Sequence, residues 1–290
     1  KGTGTLKYDG TGWRALSTNN FPTTVTLVNE QAGDILLSRA LTYSVGSLAG
    51  TKNLQGNYGS GARYLRVIQS QDTEWSGIVV SDGQDRIKGL TVTPGATAGT
   101  LTLSGNQVKA QTLTVEADAK VNLTGTWEGA TTVAGTFGGT GTLTGNLTFN
   151  AGSTFKAFAS DDDGLSVSGS ITYPESGTVT VDVSALRAPA VLLTAANESN
   201  IKLSKFALVE GTDLKYELAK EDATLVLVLK VSLEQRAGGE PVKVAATDAL
   251  LTTLEGSGLS STATASQVND FLNAIDPNGL RRWGNLATGT

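Results

Sequence analysis

The 290-residue chain contains no cysteine, no methionine and no histidine. Without cysteine there are no disulfides, thiolate metal sites, iron–sulfur clusters or thiol nucleophiles. Without histidine there is no serine–histidine–aspartate or cysteine–histidine catalysis and no imidazole metal ligand. Charge is sparse as well: Asp, Glu, Lys and Arg make up 17% of the chain, with a net charge of −5. A mildly acidic surface lacks the basic stripe that nucleic-acid phosphates require. It also offers no polybasic anchor for an anionic membrane. The longest apolar run, Leu225-Val226-Leu227-Val228-Leu229, has the length of a strand, against the roughly 20 apolar residues of a membrane span. Aromatics are few, at 6%, but hydrophobic residues at 39% of so long a chain suffice for a core.

What the chain has in quantity is glycine, at 35 positions, and an alternation of Thr, Ser or Asn with Val or Leu. Thr24-Val25-Thr26-Leu27, Thr100-Leu101-Thr102-Leu103, Thr112-Leu113-Thr114-Val115 and Thr178-Val179-Thr180-Val181 all read this way. A period of two residues is that of a half-buried strand, and β-branched Thr and Val suit its pleat. Pro-Gly, Asn-Ala-Gly and Asp-Gly phrases punctuate these runs as turns. No helical period competes before about residue 233. The Gly-Thr-Gly phrases fall inside strand–turn repeats, not between a strand and a helix, which excludes a dinucleotide loop.

There is an internal repeat. Triplets of an apolar residue, Ser or Thr, and Gly end at Gly105, Gly125, Gly145 and Gly169, spaced 20, 20 and 24 residues apart. Periods in this range with short strands predict a β-solenoid whose circuits stack on one another. The expectation is that Leu103, Leu123, Leu143 and Val167 form one interior ladder and that each triplet glycine lies at a corner. The step of 24 is assigned to the insert Asp161-Asp162-Asp163-Gly164. Before residue 95 the circuits read as longer and less regular, with Gly50, Gly77 and Gly105 spaced 27 and 28 apart. Asn106 and Asn146 each follow a triplet glycine and are expected to join an asparagine ladder.

The segment from Gly139-Thr140-Gly141-Thr142-Leu143-Thr144-Gly145 through Asn146-Leu147-Thr148-Phe149-Asn150-Ala151-Gly152-Ser153-Thr154 resembles the passenger β-strand repeats of autotransporter-type proteins. Asp163-Gly164-Leu165-Ser166-Val167-Ser168-Gly169-Ser170-Ile171 is similar to the strand phrase that follows in that family. Strands around Val191-Leu192-Leu193, Phe206-Ala207-Leu208-Val209 and Leu225-Val226-Leu227-Val228 resemble the closing section of such a passenger. The resemblance covers roughly residues 90–231. It implies a right-handed parallel β-helix exported to the bacterial surface, in a family that ranges from adhesins to proteases and spacers. The resemblance would also imply a membrane β-barrel of about 250 residues after the repeats, which is not among these 290 residues.

Composition changes after residue 233. Residues 234–241 read as a linker, and 245–254 and 266–275 carry helical spacing. Ser266 is placed to cap the second helix, with Val268, Phe271, Leu272 and Ile275 on one face. Arg281-Arg282-Trp283 opens a last amphipathic piece. The organisation expected is a β-solenoid over 1–233, less regular over 1–94 and regular over 95–233. A partly helical cap or docking tail over 234–290 would cover the last circuit. Lys1-Gly2-Thr3-Gly4-Thr5-Leu6 reads as the middle of a repeat. Either further repeats precede it or a second copy covers this end. Gly4, Thr5 and Leu6 at one end and Phe271, Leu272 and Trp283 at the other are therefore the assembly candidates, for an open head-to-tail contact.

The candidate chemistry is modest. Asp161-Asp162-Asp163 supplies oxygen ligands but lacks the spacing of a calcium loop, and reads as a solvated corner. Glu74, Asp82 and Asp85, with Arg86, would form a carboxylate group only if successive circuits aligned them. Trp13, Tyr58, Tyr64, Trp75 and Trp127 could stack sugars, and Arg14, Arg63 and Arg66 could bind acidic ones. The alternative is that the aromatics plug wide corners. Trp13, Arg63, Tyr64, Arg66 and Trp75 are the glycan-contact candidates. The expectation is an all-β, right-handed parallel β-helix, extracellular or at the cell surface. Its role would be structural, in a surface, matrix or filament, with self-association and no catalytic residue, cofactor, metal, nucleic acid or membrane span. A glycan-binding adhesin is the second reading and a polysaccharide-degrading enzyme the third.

Overall fold

The computed structural model describes residues 4–8, 14–16, 25–29, 35–37, 42–56, 61–80, 86–107, 111–158, 164–186, 189–210 and 216–229. The C-terminal candidates Phe271, Leu272 and Trp283 and the helices expected over 245–254 and 266–275 lie outside these residues. So do Trp13, Tyr58, Asp82, Asp85 and Asp161–Asp163. Among the described residues the chain is all-β, with helix confined to the 3-10 turns Glu198–Asn200 and Leu203–Lys205.

The strands form sheets of ten, seven, six and four strands. All pairing is parallel until the last sheet ends. From residue 73 to residue 182 the chain visits the sheets in a cyclic order. Thr73–Trp75 lies in the ten-stranded sheet, Val79–Val80 in the four-stranded and Arg86–Pro94 in the seven-stranded, and Thr100–Leu103 returns to the ten-stranded. Further on, Lys120–Leu123, Thr126–Trp127, Thr131–Val133 and Thr136–Gly139 repeat that order with the six-stranded sheet in the place of the four-stranded one.

The alternation in the sequence sets which side chains face inward. Strand Thr112–Val115 buries Leu113 and Val115 and turns Thr112 and Thr114 out. Parallel register then stacks like on like. Val45, Val67, Val92, Val115, Val133 and Phe149 form one interior ladder across the seven-stranded sheet. Leu101, Val121, Phe137, Phe155, Val181 and Leu208 form another across the ten-stranded sheet. Each fully buried side chain of this kind contributes about 1.5–3 kcal/mol relative to an exposed one. Phe149, Phe155, Tyr173 and Phe206 close into an aromatic cluster with centroid distances of 5.3–6.4 Å.

Circuit length varies. Asp72 bonds Thr100 across 28 residues, Gln111 meets Trp127 across 16, and Tyr173 meets Asn200 across 27. This corrects the single ladder expected from the triplets. Leu103 does stack on Leu123, but Leu123 pairs with Gly139, while Leu143 stacks on Trp127 and beneath Val167 in the six-stranded sheet. The spacing of 20 from Gly125 to Gly145 spans more than the 16-residue circuit, so the repeat in sequence crosses from one face to the next. The glycines therefore form two columns. One runs Gly77, Gly105, Gly125, Gly141 and the other Gly129, Gly145, Gly169. A Cβ on Gly105, Gly125 or Gly141 would stand 2.2–2.3 Å from the carbonyl oxygen of the glycine before it, so no larger residue fits this column. Gly50 is not in it and faces Trp75.

Corner side chains tie successive circuits together. Ser47 Oγ accepts from the Ser70 and Gln71 amides, Asn53 Oδ1 from Ile78, and Asn146 Oδ1 from Ser170. Asn106 instead bridges to Thr126, so the two asparagines share no ladder. Gln107 joins the four- and six-stranded sheets. Its side-chain amide accepts from the Val79 N–H and donates to the Val79 carbonyl, both at 2.7 Å, as a strand would. Its own N–H donates to the Thr126 carbonyl at 2.7 Å.

The six-stranded sheet ends with a reversal. Thr224–Leu229 pairs antiparallel with Ala190–Ala195, and Tyr216–Glu221 pairs antiparallel with Thr224–Leu229. Tyr216 and Leu218 pack against the core, while Glu217, Glu221 and Asp222 face solvent. Lys220 Nζ lies 3.2 Å from Glu198 Oε1. A charged hairpin of this kind blunts an edge that would otherwise template strand addition.

Candidate functional site

The glycan-contact candidates do not form one exposed strip. Strand Ala62–Gln69 places Arg63, Leu65, Val67 and Gln69 inside and Tyr64 and Arg66 outside. Arg63 is 2% exposed, in register with buried Ile87. Its Nη1 donates to the Gly61 carbonyl at 3.0 Å, and its Nε is buried without a hydrogen bond among the described residues. Trp75 is 1% exposed, and its indole N–H donates to the Lys52 carbonyl at 2.9 Å. Trp127 does the same to the Gln111 carbonyl at 3.2 Å. These indoles fill the interior and close a buried carbonyl with their one polar atom, which is the corner-plug reading. Arg63 and Trp75 are thus corrected as surface contacts. The phase of the alternation already carried the signal, since Leu65 and Val67 put residue 63 inside and residues 64 and 66 outside.

Tyr64 and Arg66 remain together on the outer face of the seven-stranded sheet. Tyr64 is 43% exposed. It stands between Thr42 and Gly89 in register, and its Cδ1 is 3.5 Å from where a Cβ on Gly89 would be. Arg66 stands between Ser44 and Thr91. Its Nη2 donates to Glu116 Oε2 at 3.2 Å, with both side chains nearly half exposed. Beyond Arg66 the same outward column continues as Thr91, Thr114, Thr132, Thr148 and Thr172. The register between Arg86–Pro94 and Ala62–Gln69 slips at Ile87/Gly89, so Lys88 is an extra residue beside Tyr64. This bulge was not read from the sequence; an isolated glycine in a strand pattern was its signal.

The remaining candidates do not converge. Glu74 is exposed and accepts from Ser104 Oγ at 2.6 Å. Gly4, Thr5 and Leu6 lie in the first strand, Gly4–Tyr8, at one edge of the ten-stranded sheet, and Phe206–Leu208 forms the opposite edge. Among the described residues no three acidic side chains group so as to hold a metal ion. No described helix is long and apolar enough to cross a membrane.

Two titratable groups are perturbed. Burial pushes the Tyr173 phenol up to about 12, partly countered by a backbone hydrogen bond. Its hydroxyl donates to the Asn200 carbonyl at 2.7 Å. Burial alone would raise the Asp182 carboxyl, but the bonds from Lys156 and Ser184 outweigh it and hold the group below its ordinary value. Lys156 Nζ lies 2.7 Å from Asp182 Oδ2. The two arrangements tie segments 26 and 27 residues apart in the chain. Comparison with protein-family models, with curated proteins and with solved structures finds no match to this chain.

Proposed function

We propose that the chain is a right-handed parallel β-helix of the autotransporter-passenger kind, acting outside the bacterial cell as a non-catalytic structural rod. The observation that supports this most is the cyclic return of the chain to the same sheets in parallel register, with matched interior ladders and corner ties. Such an interior needs neither disulfides nor metal, which suits a chain without cysteine or histidine. Ten strands at a spacing of about 4.8 Å give a stack roughly 45 Å long. In this reading the rod serves as a spacer, matrix component or filament subunit. End-to-end association would run through the edges Gly4–Tyr8 and Phe206–Leu208 of the ten-stranded sheet, since the charged hairpin blunts the six-stranded one.

Light scattering with negative-stain microscopy of the purified chain tests this. Narrow rods, alone or joined axially, are the expected result. Compact round particles would overturn the rod, and a strict monomer at high concentration would overturn the association.

A further inference from the structure

We propose that the outer face around Tyr64 is a contact site for a neutral pyranose chain. One sugar ring stacks on the phenol of Tyr64 while hydroxyls of the next bond to the Arg66–Glu116 pair. This goes beyond the structural reading, because a rod needs no such site.

Three departures from the regular fold coincide here. The first is the bulge at Lys88, of a kind rare in parallel sheets and frequent where a side chain is re-aimed next to a functional site. The second is Gly89, whose missing side chain lets Thr112 Oγ1 and the edge of the Tyr64 ring close over the backbone, 2.3 and 3.5 Å from where a Cβ would stand. The third is Tyr64 itself, which with Leu203 is one of two exposed large hydrophobic side chains among the described residues. Its neighbours along the column, Thr42 and Gly89, are too short to cover it. A ring serving only to shield Gly89 would lie buried against it, whereas 43% of this residue stays in solvent.

The chemistry of the pair selects the ligand class. Arg66 and Tyr64 are two residues apart on one face of a strand, about 6.6 Å along it. That separation is short enough for one oligosaccharide to reach both. Arg66 and Glu116 present a donor fork beside an acceptor, the arrangement that two neighbouring hydroxyls satisfy together. The charges of this pair cancel, so an anionic polymer would meet the Glu116 carboxylate and have only Lys88, exposed at the bulge, as its cation. The aromatic ring supplies apolar contact to the C–H face of a sugar and no charge.

Saturation-transfer NMR on the full chain with cellohexaose and chitohexaose as neutral probes, and with an oligogalacturonate as the acidic one, tests the proposal. The expected result is transfer to ring-face C–H protons of a neutral oligomer. Tyr64→Ala should lower it about fivefold, and Tyr64→Phe should keep it within about twofold, as stacking without need of the hydroxyl requires. Leu203→Ala, at the other exposed apolar position, should leave it unchanged. Absence of transfer from both neutral probes, equal transfer in Tyr64→Ala, or stronger transfer to the acidic oligomer would each overturn the proposal. Thermal unfolding of each variant controls for folding. Particle shape by microscopy reports on the rod separately, so the failure of one reading is distinguishable from the failure of the other.

Discussion

Gln107→Leu is the most direct test of how the four- and six-stranded sheets are joined. Gln107 is buried, and its amide closes both backbone groups of Val79, which is itself only 2% exposed. Leucine fills nearly the same volume but returns neither bond. Each buried backbone group left unpaired costs about 1–3 kcal/mol, or about 2–6 kcal/mol for the two. The added apolar area recovers about 1–2 kcal/mol of that. The centres of these ranges give an expected net loss of about 2.5 kcal/mol in urea denaturation, and the Val79 amide should exchange at least about tenfold faster because its acceptor is gone. Gln107→Glu should also destabilise, since it keeps an acceptor for the Val79 N–H but loses the donor for the Val79 carbonyl and buries a charge. The reasoning would be refuted if Gln107→Leu unfolded at the wild-type urea concentration with Val79 exchange unchanged.

The glycine columns predict a contrast. Gly125→Ala drives a Cβ to 2.3 Å from the Gly105 carbonyl and should cost about 3 kcal/mol or more, whereas Gly152→Ala meets open space and should cost only the left-handed backbone strain, about 1–2 kcal/mol. Thermal unfolding of the pair checks both. The Lys156–Asp182 tie predicts acid sensitivity. The folded carboxyl is held below its ordinary value, so its contribution is full above about pH 4 and is lost as pH falls through the folded value. Asp182→Asn should flatten the stability profile in acid, measured as denaturation midpoints across that range. Tyr173 predicts the opposite limb. Its folded value near 12 against 10.0 unfolded means that stability is full below pH 10 and falls as pH rises toward 12. Tyr173→Phe should lose that alkaline slope, and ultraviolet titration should show one phenol fewer ionising late.

The strand content and the inward and outward phases were legible in the sequence because side-chain period two is enforced residue by residue. Leu113 and Val115 inside and Thr112 and Thr114 outside follow from that alone. The same phase would have placed Arg63 inside, had the charge not been read as a mark of the surface. Stacking was less legible. Nothing local distinguishes the 20-residue step that joins Leu103 to Leu123 from the 20-residue step between Leu123 and Leu143, which face different sheets. Circuit length is fixed by which carbonyl each glycine rests on, a relation between residues far apart in sequence. Gln107 was invisible for a related reason: a glutamine replacing a strand looks like any turn residue until its partner, Val79, is known. At the candidate site, Tyr64 and Arg66 were legible by type, but their pairing with Gly89 and Glu116 depends on register across two strands.

The unequal circuits bear on where foreign sequence could be grafted. Between Lys120 and Thr136 the chain crosses three sheets in one circuit and turns on single glycines pressed against neighbouring carbonyls. An added residue there would shift every later strand onto the wrong face. The exposed corners around Gly152 and Gly177 have open space beside them and hold no ladder in place. A display epitope or protease tag belongs at those corners, where it would extend outward and leave the stacking register as it is.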